Sequence, residues 1–223
     1  MTTSPVPPSG EPGAATRERL LDAAEKLFAA HGFISTSVRD ITAEAACNVA
    51  AVNYHFGGKD KLYLETFRRR MVSMREERIR KLHQRLAAED AERSVDFVLR
   101  AIVNAVMEPL TDQVSGPRVT ELIWRELLDR RLPAEVFLDD AVDPTWGAYV
   151  DALREVCPDL DVKAARLCVQ SIVGQVAHAL QIRRLYESVP ARRLQLATLE
   201  QLADHIVQFS LGGLEAMLRE EVR

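Results

Sequence analysis

Between Thr36 and Gly58 the chain is punctuated more tightly than anywhere else, and that punctuation limits what it can fold into. Ser37, three residues before Asp40, has the form of a capping box, in which hydroxyl and carboxylate each satisfy an otherwise free backbone N–H. Val38, Ile41 and Ala45 then recur on one face of a short helix that ends near Ala45. Asn48 is a second helix-starting residue, and Val49, Val52 and Phe56 form the expected inward stripe of a helix that Gly57 and Gly58 stop. Only Ala46-Cys47-Asn48 connects the two. A longer supporting helix precedes them from Thr16, where Leu20, Leu21, Ala24, Leu27 and Phe28 keep helical spacing and Gly32 stands where a C-terminal cap belongs. Two short helices on a tight turn behind a supporting helix are the skeleton of a helix-turn-helix, whose second helix enters the major groove of duplex DNA.

Beyond Gly58 the helical pattern continues without repeats. A long helix begins near Lys59 and runs to about Leu86. Others are expected at 91–109 ended by Pro109, 117–129, 144–156, 162–186 and 193–220. No window reads as a strand, and aromatic residues are only 6%, which leaves Ala, Leu, Val, Glu and Arg to set the propensity. The fold class is therefore all-α, with a three-helix DNA-reading domain followed by a larger helical domain. The expected division is a disordered tail over 1–15, rich in Pro, Ser and Gly, a helix-turn-helix domain over 16–62, and a helical domain over 63–223.

The formal net charge of −4 argues weakly against a nucleic-acid partner until charge is counted by region. Residues 16–70 hold nine Lys/Arg against seven Asp/Glu, so the excess of acid lies elsewhere. Three cysteines, Cys47, Cys157 and Cys168, show neither disulfide nor metal-ligand spacing. No apolar run approaches the roughly 20 residues that span a bilayer, and residues 1–15 lack a secretion signal. These readings imply a cytoplasmic protein with no metal, no cofactor and no membrane partner.

The string Thr36-Ser37-Val38-Arg39-Asp40-Ile41 through Asn53-Tyr54-His55-Phe56-Gly57-Gly58-Lys59-Asp60-Lys61-Leu62, with Gly32-Phe33 before it, resembles the N-terminal domain of the TetR family of bacterial regulators. The resemblance covers residue 16 to about residue 66. Asn53-Tyr54-His55-Phe56, with Glu126, Pro133, Phe137 and Gly174-Gln175 further on, resembles the CecR-like branch. The chemistry fits a DNA reader. Ala50 and Ala51 leave room for close approach to the groove, Asn48 and Asn53 offer donors and acceptors, Tyr54 and His55 reach backbone oxygens, and Lys59 starts a helix beside a phosphate. With Ser37 and Thr42 these make the DNA-facing set. Two positions depart from the family pattern: Ala45-Ala46-Cys47 where it usually has Ala-Gly-Val, and Asn53 where it usually has Tyr. An alanine forced to positive φ costs about 1–2 kcal/mol, so the turn is expected to be strained or reshaped.

The resemblance further implies a small-molecule-binding C-terminal domain and a homodimer formed by the last two helices, here 162–186 and 193–220, on near-palindromic operator DNA. Leu199, Phe209 and Met217 belong to the apolar surface that pairing would use. Pocket candidates are the large or polar side chains of the middle helices, among them Phe97 and Tyr149, with Trp124, Trp146 and His178 the chosen ligand contacts. Each of these is also an ordinary core position by spacing alone. Two rival readings stay open: a helical interaction protein without sequence-specific DNA binding, and a helical enzyme, although no nucleophile elbow, phosphate loop or metal spacing is present.

Overall fold

The computed structural model describes residues 12–87, 93–112, 116–189, 191 and 196–220. The elements are α1 (Pro12–Ser35), α2 (Val38–Glu44), α3 (Val49–Phe56), α4 (Lys59–Ala87), α5 (Val95–Thr111), α6 (Gly116–Asp129), α7 (Ala134–Phe137), a π-helical turn (Leu138–Val142), α8 (Asp143–Val156), α9 (Val162–Glu187) and α10 (Leu199–Glu220). Among the described residues no helix is long and apolar enough to cross a membrane.

They form two compact units, Met1–Arg70 with Arg118–Leu132, and Met71–Pro117 with Pro133–Arg223. In the first, α1, α2 and α3 pack on one another around Leu20, Ala24, Phe28, Ile41, Val52 and Phe56, all buried. Helix α1 begins at Pro12, four residues before the expected start, so residues 12–15 are helical rather than tail; residues 1–11 lie outside the described residues. Gly32 breaks α1 with φ 76° and ψ 172°, a conformation that glycine adopts without Cβ strain. Ion pairs tie the unit's surface: Arg69 reaches Glu18, Asp22 and Glu25 on α1, and Lys26 reaches Glu44 on α2 at 2.6 Å.

In the second unit α5 packs against α8, α9 and α10, and α9 against α8 and α10. Leu99, Ile102, Val106, Leu153, Val169, Ile172, Val176, Ile206 and Val207 are its buried interior. Pro109 lies inside α5 instead of ending it. A proline removes one helical hydrogen bond and crowds the preceding turn, but here Val106, Pro109 and Leu110 are all buried, and that burial carries the helix on to Thr111. The helix begins at Val95 behind Ser94, whose hydroxyl accepts from Phe97 N, later than the expected residue 91, which lies outside the described residues. Likewise α10 begins at Leu199 rather than residue 193. The pattern did not reveal α7 or the π-helical turn.

In the connection between α2 and α3, Ala46 has φ 50°, the only alanine at positive φ among the described residues. Relieving about 1–2 kcal/mol of strain, less the greater chain entropy that glycine brings to the unfolded state, Ala46→Gly is expected to stabilise the protein by up to about 1 kcal/mol, whereas Ala46→Val destabilises it. Paired urea titrations of the two variants check the sign.

Candidate nucleic-acid interface

The geometry of α2 and α3 is set by local capping chemistry. Ser37 N–H donates to Asp40 Oδ2 at 2.9 Å and Asp40 N–H to Ser37 Oγ at 3.1 Å, closing the capping box. The Ser37 hydroxyl, and then its N–H, hold the Asp40 carboxyl below its ordinary range. Asn48 Oδ1 accepts from Ala50 N at 2.9 Å, so its side chain is the N-cap of α3. Gly57 at φ 74° ends that helix, its N–H donating to Asn53 O at 2.9 Å. Cys47 is half-buried, with its thiol donating to Ala45 O at 3.2 Å.

These constraints divide α3 into two faces. Val52 and Phe56 point into the core, at 0% and 4% exposure. Val49, Ala50, Asn53 and Tyr54 face outward, and Tyr54 is 84% exposed. Val49, expected in the inward stripe, is instead 45% exposed, because at the first helical residue only the preceding turn lies beside it. The Tyr54 ring does not pack on Phe28. It lies edge-on to His55 at 4.9 Å, while Phe28 packs with Phe33 and Tyr63. His55 and Ala51 are half-buried beside the open stripe.

The other predicted positions are distributed as follows. Ser37 is exposed at the head of α2. Thr42 is buried, and its hydroxyl donates to Arg39 O at 3.1 Å, so it presents no surface oxygen. Lys59 opens α4 with its ammonium 4.1 Å above the Phe33 ring, and the Arg131 guanidinium lies 4.5 Å from the same ring. Partial burial lowers the Lys59 pKa, with Asp60 opposing. Arg39 and Lys61, which sequence reasoning left aside, are exposed cations flanking the motif; basic residues beside a helix-turn-helix were the available signal. Of the ligand candidates, half-buried Trp124 belongs to the first unit, while half-buried Trp146 and exposed His178 belong to the second.

The supporting contacts come from far along the chain. Residues 118–132 belong to the same unit, and their central group is Glu126, 5% exposed. Its Oε2 accepts from Tyr63 Oη at 2.8 Å and its Oε1 from Leu132 N at 2.7 Å. Burial first, then this bond, raises the Tyr63 pKa far above the ordinary phenol value, so the phenol stays a donor. Arg125 pairs with Glu121 at 2.8 Å and donates to Ala30 O at 3.4 Å, and a Cβ on Gly32 would meet its guanidinium at 3.2 Å.

The chain matches two family models: "Bacterial regulatory proteins, tetR family" over residues 20–66, and "Tetracyclin repressor-like, C-terminal domain" over 100–213. It is 33% identical over 190 residues to the HTH-type transcriptional repressor Rv3405c of Mycobacterium tuberculosis, a span of 79% of this chain and 98% of that protein. Its fold is similar to that of SmeT, the repressor of the Stenotrophomonas maltophilia multidrug efflux pump SmeDEF, at TM-score 0.59 and 19% identity over 91% of this chain and 92% of that one. A chain from Saccharomonospora viridis solved in complex with choline matches at TM-score 0.63 and 18% identity, over 91% and 96% of the two chains. These matches do not distinguish the CecR-like branch.

Removing the Glu126 carboxylate strands the buried Tyr63 hydroxyl and the half-buried Leu132 N–H, at about 1–3 kcal/mol each. Glu126→Leu is therefore expected to cost about 2–5 kcal/mol of stability, and Glu126→Gln, whose single amide oxygen keeps one of the two donors, about 1–3 kcal/mol, as measured by chemical denaturation.

Proposed function

Because this chain belongs to the TetR family of DNA-binding transcriptional regulators, we propose that it is a homodimeric repressor that leaves a near-palindromic operator when a small molecule binds its C-terminal domain. The observation that carries the DNA-reading part is the outward stripe of α3. Val49, Ala50, Asn53 and Tyr54 carry no core packing, and an 84% exposed tyrosine beside an exposed asparagine is a surface built to meet something else. In the groove, Asn53 pairs with a base edge or a phosphate, Val49 and Ala50 offer apolar contact to thymine methyls, and Tyr54 bonds the sugar-phosphate backbone. Ser37, Asn48, His55, Lys59, Arg39 and Lys61 set position on the phosphates.

Dimerisation is supported by the outward faces of α9 and α10. Leu167, Ile182, Leu185, Phe209 and Met217 are exposed apolar side chains on these helices, and Ser171 and Gly174 are small exposed residues that permit close approach. A two-fold dimer places two α3 helices in successive major grooves, about 34 Å apart. A ligand that prefers a conformer with another spacing releases the DNA, with a coupling of about 1–3 kcal/mol. Both α4 and α6 contribute residues to each unit and, with the Leu132–Pro133 link, are the covalent routes for that coupling.

Fluorescence anisotropy with the duplex upstream of the protein's own gene, beside a scrambled duplex, tests the reading. Wild type is expected to bind the native duplex at least about 10³-fold more tightly than the scrambled one, and its affinity is expected to fall steeply with salt. The Asn53→Ala, Tyr54→Ala double variant is expected to lose that preference while keeping its thermal stability. Equal affinity for both duplexes, with no preferred site emerging from a genome-wide binding selection, would sink the repressor reading.

A further inference from the structure

Two cations share one aromatic ring in the first unit. The Lys59 ammonium lies 4.1 Å from the Phe33 ring centroid and the Arg131 guanidinium 4.5 Å from it. Lys59 opens α4 directly after the Gly57–Gly58 stop of α3. Arg131 comes from much later in the chain, far beyond residue 66, where the match to the DNA-binding family model stops. Its place on the ring is built into the backbone. Arg130 ends α6 in the left-handed region at φ 47°, its N–H donating to Glu126 O at 2.8 Å, and Leu132 N–H donates to Glu126 Oε1 at 2.7 Å. Arg131 is thus held between two residues pinned to one buried glutamate, while Phe33 follows the Gly32 break in α1.

The carboxylates nearby leave this pair of cations short of partners. Among the described residues Arg131 has one ion pair, a long one from Nε to Asp129 Oδ2 at 3.9 Å, and Lys59 has none. Asp40 is closed into the Ser37 capping box, and Asp60 is exposed beside Lys59. Burial first lowers the Lys59 pKa; Arg131 adds to that lowering while Asp60 and Asp40 oppose it, so the two cations repel. A ring face fixes where a guanidinium sits without tying its N–H donors into hydrogen bonds. Arg131 is exposed, so those donors are open to an acceptor from outside. Propping Phe33 needs one cation, not two. Two cations drawn to one ring are relieved by an anion that meets both, and a phosphate diester has two free oxygens to do so.

We propose, resting on the reading of this chain as a DNA-binding regulator, that Arg131 is a DNA-backbone contact, gripping with Lys59 one phosphate diester beside the end of α3. The segment after α6 thereby adds to the operator-facing surface a residue that carries no base information. It sets the strength of binding and leaves the sequence read to α3.

The test is fluorescence anisotropy of the full chain on the native and scrambled duplexes, from about 50 to about 300 mM KCl. Wild type is compared with Arg131→Met, Arg131→Lys, Lys59→Met and the Arg131→Met, Lys59→Met double variant. Each lost phosphate contact flattens the dependence of log K on log salt by about 0.9. Arg131→Met is expected to flatten it by about that amount per protomer and to weaken both duplexes by the same factor, leaving the preference for the native one unchanged. Arg131→Lys keeps the charge and is expected to keep a slope near that of wild type. An arginine that only supported Phe33 would act through Lys59, whereas a phosphate contact is expected to flatten the slope again in the Lys59→Met background. The proposal is overturned if Arg131→Met keeps the wild-type slope, if it weakens the native duplex alone, if Arg131→Lys flattens the slope as much as Arg131→Met, or if Arg131→Met adds nothing to Lys59→Met. Equal wild-type affinity for the two duplexes defeats the regulator reading, while the slopes on either duplex still decide this one; no binding to either overturns both.

Discussion

The buried carboxylate of Glu126, accepting from the Tyr63 hydroxyl and the Leu132 N–H, is the interaction on which the DNA-reading unit's architecture rests. Tyr63 does two jobs with one ring: its edge closes on Phe28 and Phe33 at 5.0 and 5.1 Å, and its hydroxyl reaches Glu126. Through that ring the end of α1, the start of α4 and the second half of α6 share one anchor. Arg125 on α6 and Arg131 just after it reinforce the anchor, one on the Ala30 carbonyl and one on the Phe33 face. A helix-turn-helix alone has a small core, and a small core is stabilised most by polar contacts that are both buried and fully satisfied.

The motif was legible in the sequence because caps are local chemistry. A serine three residues before an aspartate, an asparagine at the head of a short apolar stripe and two glycines at its end each act within a few residues, and all of them stand where the pattern put them. The strained turn was legible only through the resemblance, since Ala46 stands where the family usually has glycine, and it does take positive φ. The role of residues 118–132 was not legible. Tyr63 and Glu126 are 63 residues apart, and nothing in the periodicity of α6 says which unit it joins. Helical spacing also failed at Val49, which has the stripe's register but no neighbour to cover it, and at Pro109, where burial outweighs a lost backbone bond. In the second unit Tyr149 stood out as a large polar side chain, whereas Arg78 looked like one more charged residue on a long polar helix until its Nε proved buried.

Charge follows the same division. The chain is acidic overall, yet α2, α3 and the start of α4 leave Arg39, Lys59 and Lys61 available while Lys26 and Arg69 are spent on Glu44, Glu18, Asp22 and Glu25. Arg39 and Lys61 are therefore exposed toward phosphate, while Lys59 shares its ammonium with the face of Phe33. That selective pairing matters more for attraction to DNA than the total, because screening confines each charge to about 8–10 Å at ordinary ionic strength.

The two faces of α3 have an evolutionary consequence. Val52 and Phe56 are fixed by what lies behind them, but Val49, Ala50, Asn53 and Tyr54 lie outside the core. Their identities are accordingly free to drift without eroding the fold. A duplicated copy of this gene could acquire a new genomic address through a handful of changes on one helical face, while inheriting the second unit intact.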